Sequence, residues 1–243
     1  LTGDFRIFQK RRGHRWSLDD LVTAWVAWQT CHGAPPREAL DLGCGIGSVA
    51  LMVAWCFPDV RVTGIEAQAV SLDLARRSLV WNGVEHRVTL LHGDLRDETL
   101  LPPTARFDLV TGTPPYFLPG TVVESDTVQR GPCRVEHRGG PKDYCLSAAR
   151  WLAPEGCFVM CASVLQRARV REGAERAGLD ALRCLEVIPC EGRAPLVDVT
   201  VMTRGTGRWR AVSETLTVRT ADRQWTEAFR ALRRDMGMPD SAP

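Results

Sequence analysis

The sequence predicts an α/β fold: a mostly parallel sheet with helices on both faces and a terminal antiparallel hairpin. Three observations predict it. Short apolar runs of strand length alternate with longer stretches at helical spacing between residues 17 and 161, a glycine-rich break follows the first strand, and two late apolar segments, 182–189 and 196–203, are joined by too few residues for a helix. Alternating strands and helices imply parallel strands with right-handed crossovers, whereas the short connection implies an antiparallel pair.

The elements follow in order. Ser17, with Asp20 three residues on, reads as the cap of a helix carrying Leu21, Val22, Ala24, Trp25, Val26 and Trp28. Trp25 and Trp28 share one face, which places them against the sheet and not against a base. Gly33, Ala34, Pro35 and Pro36 break that helix. The first strand, 39–42, is apolar apart from Asp41. It runs into Gly43, Cys44, Gly45, Ile46 and Gly47 and resumes as a helix over 48–56. These glycines let the backbone take positive φ and approach a ligand with no Cβ in the way, in front of the amides of the next helix. The spacing is Asp-x-Gly-x-Gly-x-Gly and not the GxGxxG of a dinucleotide turn. An aspartate before the first glycine suits a ligand with a positive charge or an amine, and S-adenosylmethionine (SAM) has both.

The next strand, 60–65, ends at Glu66, about 20 residues beyond the glycine turn, where a nucleoside-binding α/β fold places an acceptor for ribose hydroxyls. A helix over 67–82 follows, with Asn82 and Gly83 as its stop. The strand 88–92 leads to Gly93, Asp94 and Leu95, and Asp94 is placed to accept from an adenine amino group. Each carboxylate taken singly reads equally well as a helix cap or a solvated loop charge. Three at successive strand ends, in order, read as a nucleoside site. The fourth strand, 107–111, runs into Gly112, Thr113, Pro114, Pro115, Tyr116 and Phe117.

This order of motifs resembles the class I SAM-dependent methyltransferases, in particular those with an Asn-Pro-Pro-Tyr-like motif after the fourth strand, which methylate exocyclic or amide nitrogens. The stretches Asp4-Phe5-Arg6-Ile7-Phe8-Gln9 and Gly13-His14-Arg15-Trp16-Ser17-Leu18-Asp19 resemble the start of the tRNA1(Val) adenine-37 N6-methyltransferase family. The resemblance implies a Rossmann-like class I methyltransferase fold with a seven-stranded sheet, SAM as cofactor and S-adenosylhomocysteine as product. It implies cofactor binding by Asp41, Gly43, Cys44, Gly45, Gly47, Glu66, Ala67, Asp94, Leu95 and Thr113, and catalysis by Thr113, Pro114, Pro115 and Tyr116. In the family motif the first side chain and the first proline's carbonyl accept the two amino hydrogens while the aromatic ring stacks on the acceptor. By position these are Thr113, Pro114 and Tyr116, with Phe117 as a second wall. Threonine replaces the family's asparagine here, and its hydroxyl is shorter and its rotamer stiffer. The implied activity is methyl transfer to adenine N6 in tRNA or another RNA. Protein glutamine N5-methylation, a small-molecule methyltransferase and a non-catalytic SAM- or RNA-binding module are the alternatives.

After Tyr116, residues 117–142 are rich in glycine, proline and charge, with no period, and read as a substrate-gripping loop. His137 within it reads as a surface residue, since amino-group methylation needs no base there. A helix over 143–152, a turn at 153–156, a fifth strand over 157–161 and an outer helix over 165–177 follow. One domain is expected, with an N-terminal segment (1–36), a core (37–203) and a basic C-terminal extension (204–243). The chain has 243 residues, 44% of them hydrophobic and 25% charged, which is ordinary for a soluble globular domain. No apolar run is long enough to span a membrane. Nine cysteines without a CxxC pair give no zinc spacing and no closed disulfide framework, so no metal and a reducing, cytoplasmic setting are expected. The chain starts at Leu1, which leaves a preceding segment or an import leader open. Net charge is only +2, but Lys10, Arg11, Arg12 and Arg15 cluster beside the expected substrate mouth, where they could follow RNA phosphates. The chain is expected to act as a monomer or weak oligomer.

Overall fold

The computed structural model describes residues 1–11, 13, 15–116 and 139–240. In chain order the helices are α1 (Leu18–Cys31), α2 (Ser48–Cys56), α3 (Ala69–Asn82), α4 (Pro141–Trp151), α5 (Arg167–Ala177) and α6 (Glu227–Asp235). The strands are β1 (Glu38–Leu42), β2 (Arg61–Glu66), β3 (Val88–His92), β4 (Phe107–Gly112), β5 (Leu152–Ser163), β6 (Leu179–Ile188), β7 (Val197–Arg204) and β8 (Trp209–Thr217). They form one sheet in the order β3-β2-β1-β4-β5-β7-β6-β8. β1 to β5 are parallel to one another, and β7 runs antiparallel to both β5 and β6. The terminal hairpin is therefore present.

The strand count is eight, not seven. β8 pairs parallel to β6, with Leu185 opposite Glu214, inside the stretch expected to be a basic extension. Most of its residues are exposed at the sheet edge, so no apolar alternation marks it. Two other boundaries moved. α4 starts at Pro141, which sits in the first turn where a missing N–H costs nothing. β5 follows α4 directly: Phe107 opposes Leu152 and Leu109 opposes Cys157, so the expected turn at 153–156 is a loop-out within the strand.

The sheet separates two apolar clusters. One holds α1 and α2 against Val62, Leu109, Val159 and Val199, and the other holds Tyr144, Trp151 and Val170 against Leu40, Ile65 and Phe158. α2 is buried from Ser48 through Ala54, as its apolar circumference requires. Trp25 and Trp28 pack only at the border of the first cluster, and Trp25 Nε1 donates to Asp235 of α6 at 2.9 Å. The order in which strands are added reverses at β1, with β2 on one side and β4 on the other, which opens a crevice at the carboxyl ends of β1 and β4, where open α/β sheets bind ligands.

Candidate active site

The glycine turn is locked from beneath and open on one side. Gly43, Gly45 and Gly47 have φ of +63°, +56° and +83°, in the left-handed region that favours glycine. A Cβ on Gly43 would lie 2.2 Å from the Tyr144 hydroxyl, and one on Gly112 would lie 2.7 Å from Tyr144 Cδ1. The Tyr144 ring thus fills the space behind both the turn and the end of β4. A Cβ on Gly45 would meet nothing within 4 Å. Buried Cys44 holds the turn to β2, its N–H donating to Ile65 O at 2.9 Å.

Two expected acceptors are engaged by backbone. Asp41, 3% exposed, accepts from Thr111 Oγ1 at 2.8 Å and from the Ala50 N–H at 3.1 Å. It caps α2 from inside the sheet and ties β1 to β4. Glu66 accepts from the Gly45 N–H at 2.9 Å and the Gln68 N–H at 2.6 Å. Ala67 follows it, half-buried, its carbonyl 3.2 Å from His92 Nε2. Asp94 is paired with Arg96, at 2.6 and 2.9 Å, and buried Leu95 receives the Ser147 hydroxyl on its carbonyl at 2.9 Å.

Pairing of Leu42 with Ile65 and with Gly112, and of Glu66 with His92, brings the four expected motifs to one edge of the sheet. Thr113, half-buried, and Pro114, buried, leave β4 beside the glycine turn. The Pro115 carbonyl accepts from Gln166 Nε2 at 2.9 Å, and the Tyr116 hydroxyl donates to Asp19 of α1. Lys10, Arg11 and Arg15 are exposed on the N-terminal segment. Arg12, Phe117, His137 and nearly all of the expected gripping loop lie outside the described residues.

The site is strongly acidic. Burial pushes Asp41 up to about 7, against hydrogen bonds from Thr111 and Ala50 that lower it, with the nearby Glu66 charge adding to the rise. Burial and the Asp19 charge raise Asp20 well above the usual carboxylate range, although it accepts from the Ser17 N–H at 2.9 Å. Tyr116 is raised well above the usual phenol range, first by burial. Among the described residues no lysine or arginine pairs with Asp19, Asp20 or Asp41. A cationic ligand fits this field, and the open face at Gly45 fits a nucleoside's close approach. No group of three or more His, Cys, Asp or Glu among the described residues is arranged to hold a metal ion.

Thr111, Asp19, Gln166 and Tyr144 were not anticipated as site residues. Asp19 could be seen only beside a helix cap, as the last residue of the stretch that resembles the family's start. The others sit in ordinary strand or helix patterns that carry no local sign of a distant partner.

Residues 39–119, the stretch from β1 through the Thr-Pro-Pro-Tyr motif, match the family described as "Methyltransferase domain". The chain has a class I methyltransferase fold. It is 33% identical over 138 residues to a tRNA1(Val) (adenine(37)-N6)-methyltransferase of Porphyromonas gingivalis, a match covering 56% of this chain and 53% of that protein. The chain thus spans about half the length of that methyltransferase. It is 28% identical over 190 residues to a ribosomal protein uL3 glutamine methyltransferase of Burkholderia pseudomallei, covering 70% of this chain and 59% of the other. Among solved structures, a predicted O-methyltransferase from Agrobacterium tumefaciens superposes with a TM-score of 0.64 at 17% identity, covering 89% of this chain and 97% of that one. This last likeness shows the methyltransferase fold alone.

Proposed function

We propose that this chain transfers the methyl group of SAM to the N6 amino group of an adenine in RNA, a tRNA-like substrate being favoured. The observation that carries the proposal is the adjacency of the glycine turn and the Thr113-Pro114-Pro115-Tyr116 segment on paired strands, Leu42 opposite Gly112. It puts groups suited to an amino acceptor beside groups suited to a nucleoside. The glycine turn, Glu66 and Ala67 would hold the adenosine of SAM, with Asp94 and Leu95 at the adenine end. Bound there, SAM supplies a methyl group activated on a sulfonium.

The remaining chemistry belongs to the chain. An adenine N6 lone pair is delocalised into the ring, so transfer requires the nitrogen to pyramidalise. The Thr113 hydroxyl and the Pro114 carbonyl would accept its two hydrogens and hold the lone pair toward the methyl, and the Tyr116 ring would fix the plane of the base. Gln166 holds the Pro115 carbonyl and Asp19 holds the Tyr116 hydroxyl, so the motif is positioned before a substrate arrives. Asp41, in its ionised form, would supply a negative charge that favours a cationic donor over its neutral thioether product.

The likeness to a protein glutamine methyltransferase supports a second reading, in which the same acceptors hold an amide nitrogen. Incubation with methyl-labelled SAM, total tRNA and total protein, followed by digestion, separates them. The expected result is N6-methyladenosine that disappears in Tyr116→Ala. Label in protein selects the glutamine reading, and cofactor binding without label in either pool rejects both.

A further inference from the structure

We infer that the outer face of α3, together with the N-terminal segment laid along it, forms a binding surface for single-stranded RNA outside the methyl-transfer site. Arg6 N donates to Asn82 Oδ1 at 2.8 Å, Asn82 Nδ2 donates back to Arg6 O at 2.7 Å, and Phe8 N donates to Ser78 Oγ at 2.9 Å. These bonds fix the segment so that it climbs α3 from its C-terminus toward Lys10, Arg11 and Arg15. On this track Trp81 is 67% exposed and Val80 66%. The Phe8 ring meets Trp81 edge-on at 5.9 Å, and the Arg77 guanidinium lies 4.6 Å over Phe8. An indole left in water, braced by a second ring and a guanidinium, is a stacking platform.

The charges around the platform are unspent. Arg61, Arg96, Arg150, Arg167, Arg176, Arg183 and Arg234 are ion-paired. Arg6, Lys10, Arg11, Arg76 and Arg77 are exposed and form no ion pair among the described residues, even though Asp73 lies on the same helix. Exposed aromatics interleaved with unpaired cations match a polymer that alternates planar bases with phosphates, and duplex RNA would leave the platform unused. As a substrate track the surface rests on the RNA reading of the active site, but its test reads binding alone.

The probe is a short fluorescein-labelled single-stranded RNA of mixed sequence, titrated against the parent protein and against Trp81→Ala, Trp81→Phe, Arg76→Ala with Arg77→Ala, and Tyr116→Ala. Heparin and the annealed duplex serve as comparison ligands. Trp81→Ala is expected to weaken single-strand binding about tenfold, Trp81→Phe to restore most of it, and the double arginine variant to lower the salt slope by about 1.4. SAM affinity and thermal unfolding should stay at parental values in the surface variants. Equal RNA affinity and salt slope in the parent and all surface variants would overturn the proposal, as would a Trp81→Ala loss matched for heparin. RNA held by this surface without methyl label on RNA removes the proposed function and leaves the surface standing. Label on RNA with parental binding in the variants does the reverse.

Discussion

The hydroxyl of Tyr116 donates to a carboxylate oxygen of Asp19, 97 residues earlier in the chain. The first turn of α1 is thereby tied to the segment that leaves β4. The same turn carries Asp20, which lies in the field of Asp41 beneath the glycine turn. α1 therefore braces both halves of the site.

Tyr116→Phe keeps the ring and removes this tie. A single hydrogen bond to a charged group contributes about 1.5–3 kcal/mol, so kcat should fall about tenfold or more while KM for SAM stays within about threefold. Asp19→Asn keeps an acceptor and should lose less. Initial rates at varied SAM and RNA test this, and an unchanged kcat in Tyr116→Phe would sink the bracing role.

Asp41 gives the site a pH dependence. Its folded value of about 7 lies above its ordinary value of 3.8, so its stabilising contribution is complete below about pH 4 and is lost as pH rises through about 7. A cationic ligand favours the ionised form, so SAM affinity should increase as pH rises from 6 to 8. Asp41→Asn should bind more weakly and with a flatter profile. Calorimetric titration across that range checks the sign, and a parent profile as flat as the variant's contradicts it.

Gly43 and Gly45 separate a folding role from a binding role. Gly43→Ala drives a Cβ to 2.2 Å from the Tyr144 hydroxyl, and Tyr144 is buried in the core with little space to shift into. This variant should lose several kcal/mol of stability, about the scale of overpacking plus left-handed strain. Gly45→Ala meets no atom within 4 Å, so it should lose only about 1–2 kcal/mol while SAM binding falls at least tenfold. Thermal melts with and without SAM distinguish the two.

In the proposed function Thr113 would set the acceptor geometry. Thr113→Ala removes one of the two acceptors and should lower kcat on RNA about tenfold or more. Thr113→Asn restores the longer reach of an amide oxygen and should hold or raise kcat. A Thr113→Ala enzyme with parental kcat would show that the hydroxyl does not hold the acceptor.

By itself the sequence determined the order of strands β1 to β5 and their helices, the glycine turn, and the carboxylates Asp41, Glu66 and Asp94 at successive strand ends. These are local properties: apolar period, left-handed glycine and chain order suffice to place them. Only the tertiary structure decided what those residues touch. Asp41 is an internal cap for α2, held by Thr111, and Asp94 is turned onto Arg96. Gln166 reaches the Pro115 carbonyl from 51 residues away. β8, polar and exposed at the sheet edge, has no apolar pattern to announce it and exists because β6 offers unpaired backbone groups. Each of these is a contact between segments far apart in the chain, selected by the packing of the whole sheet, and no local pattern of residue types encodes such a contact.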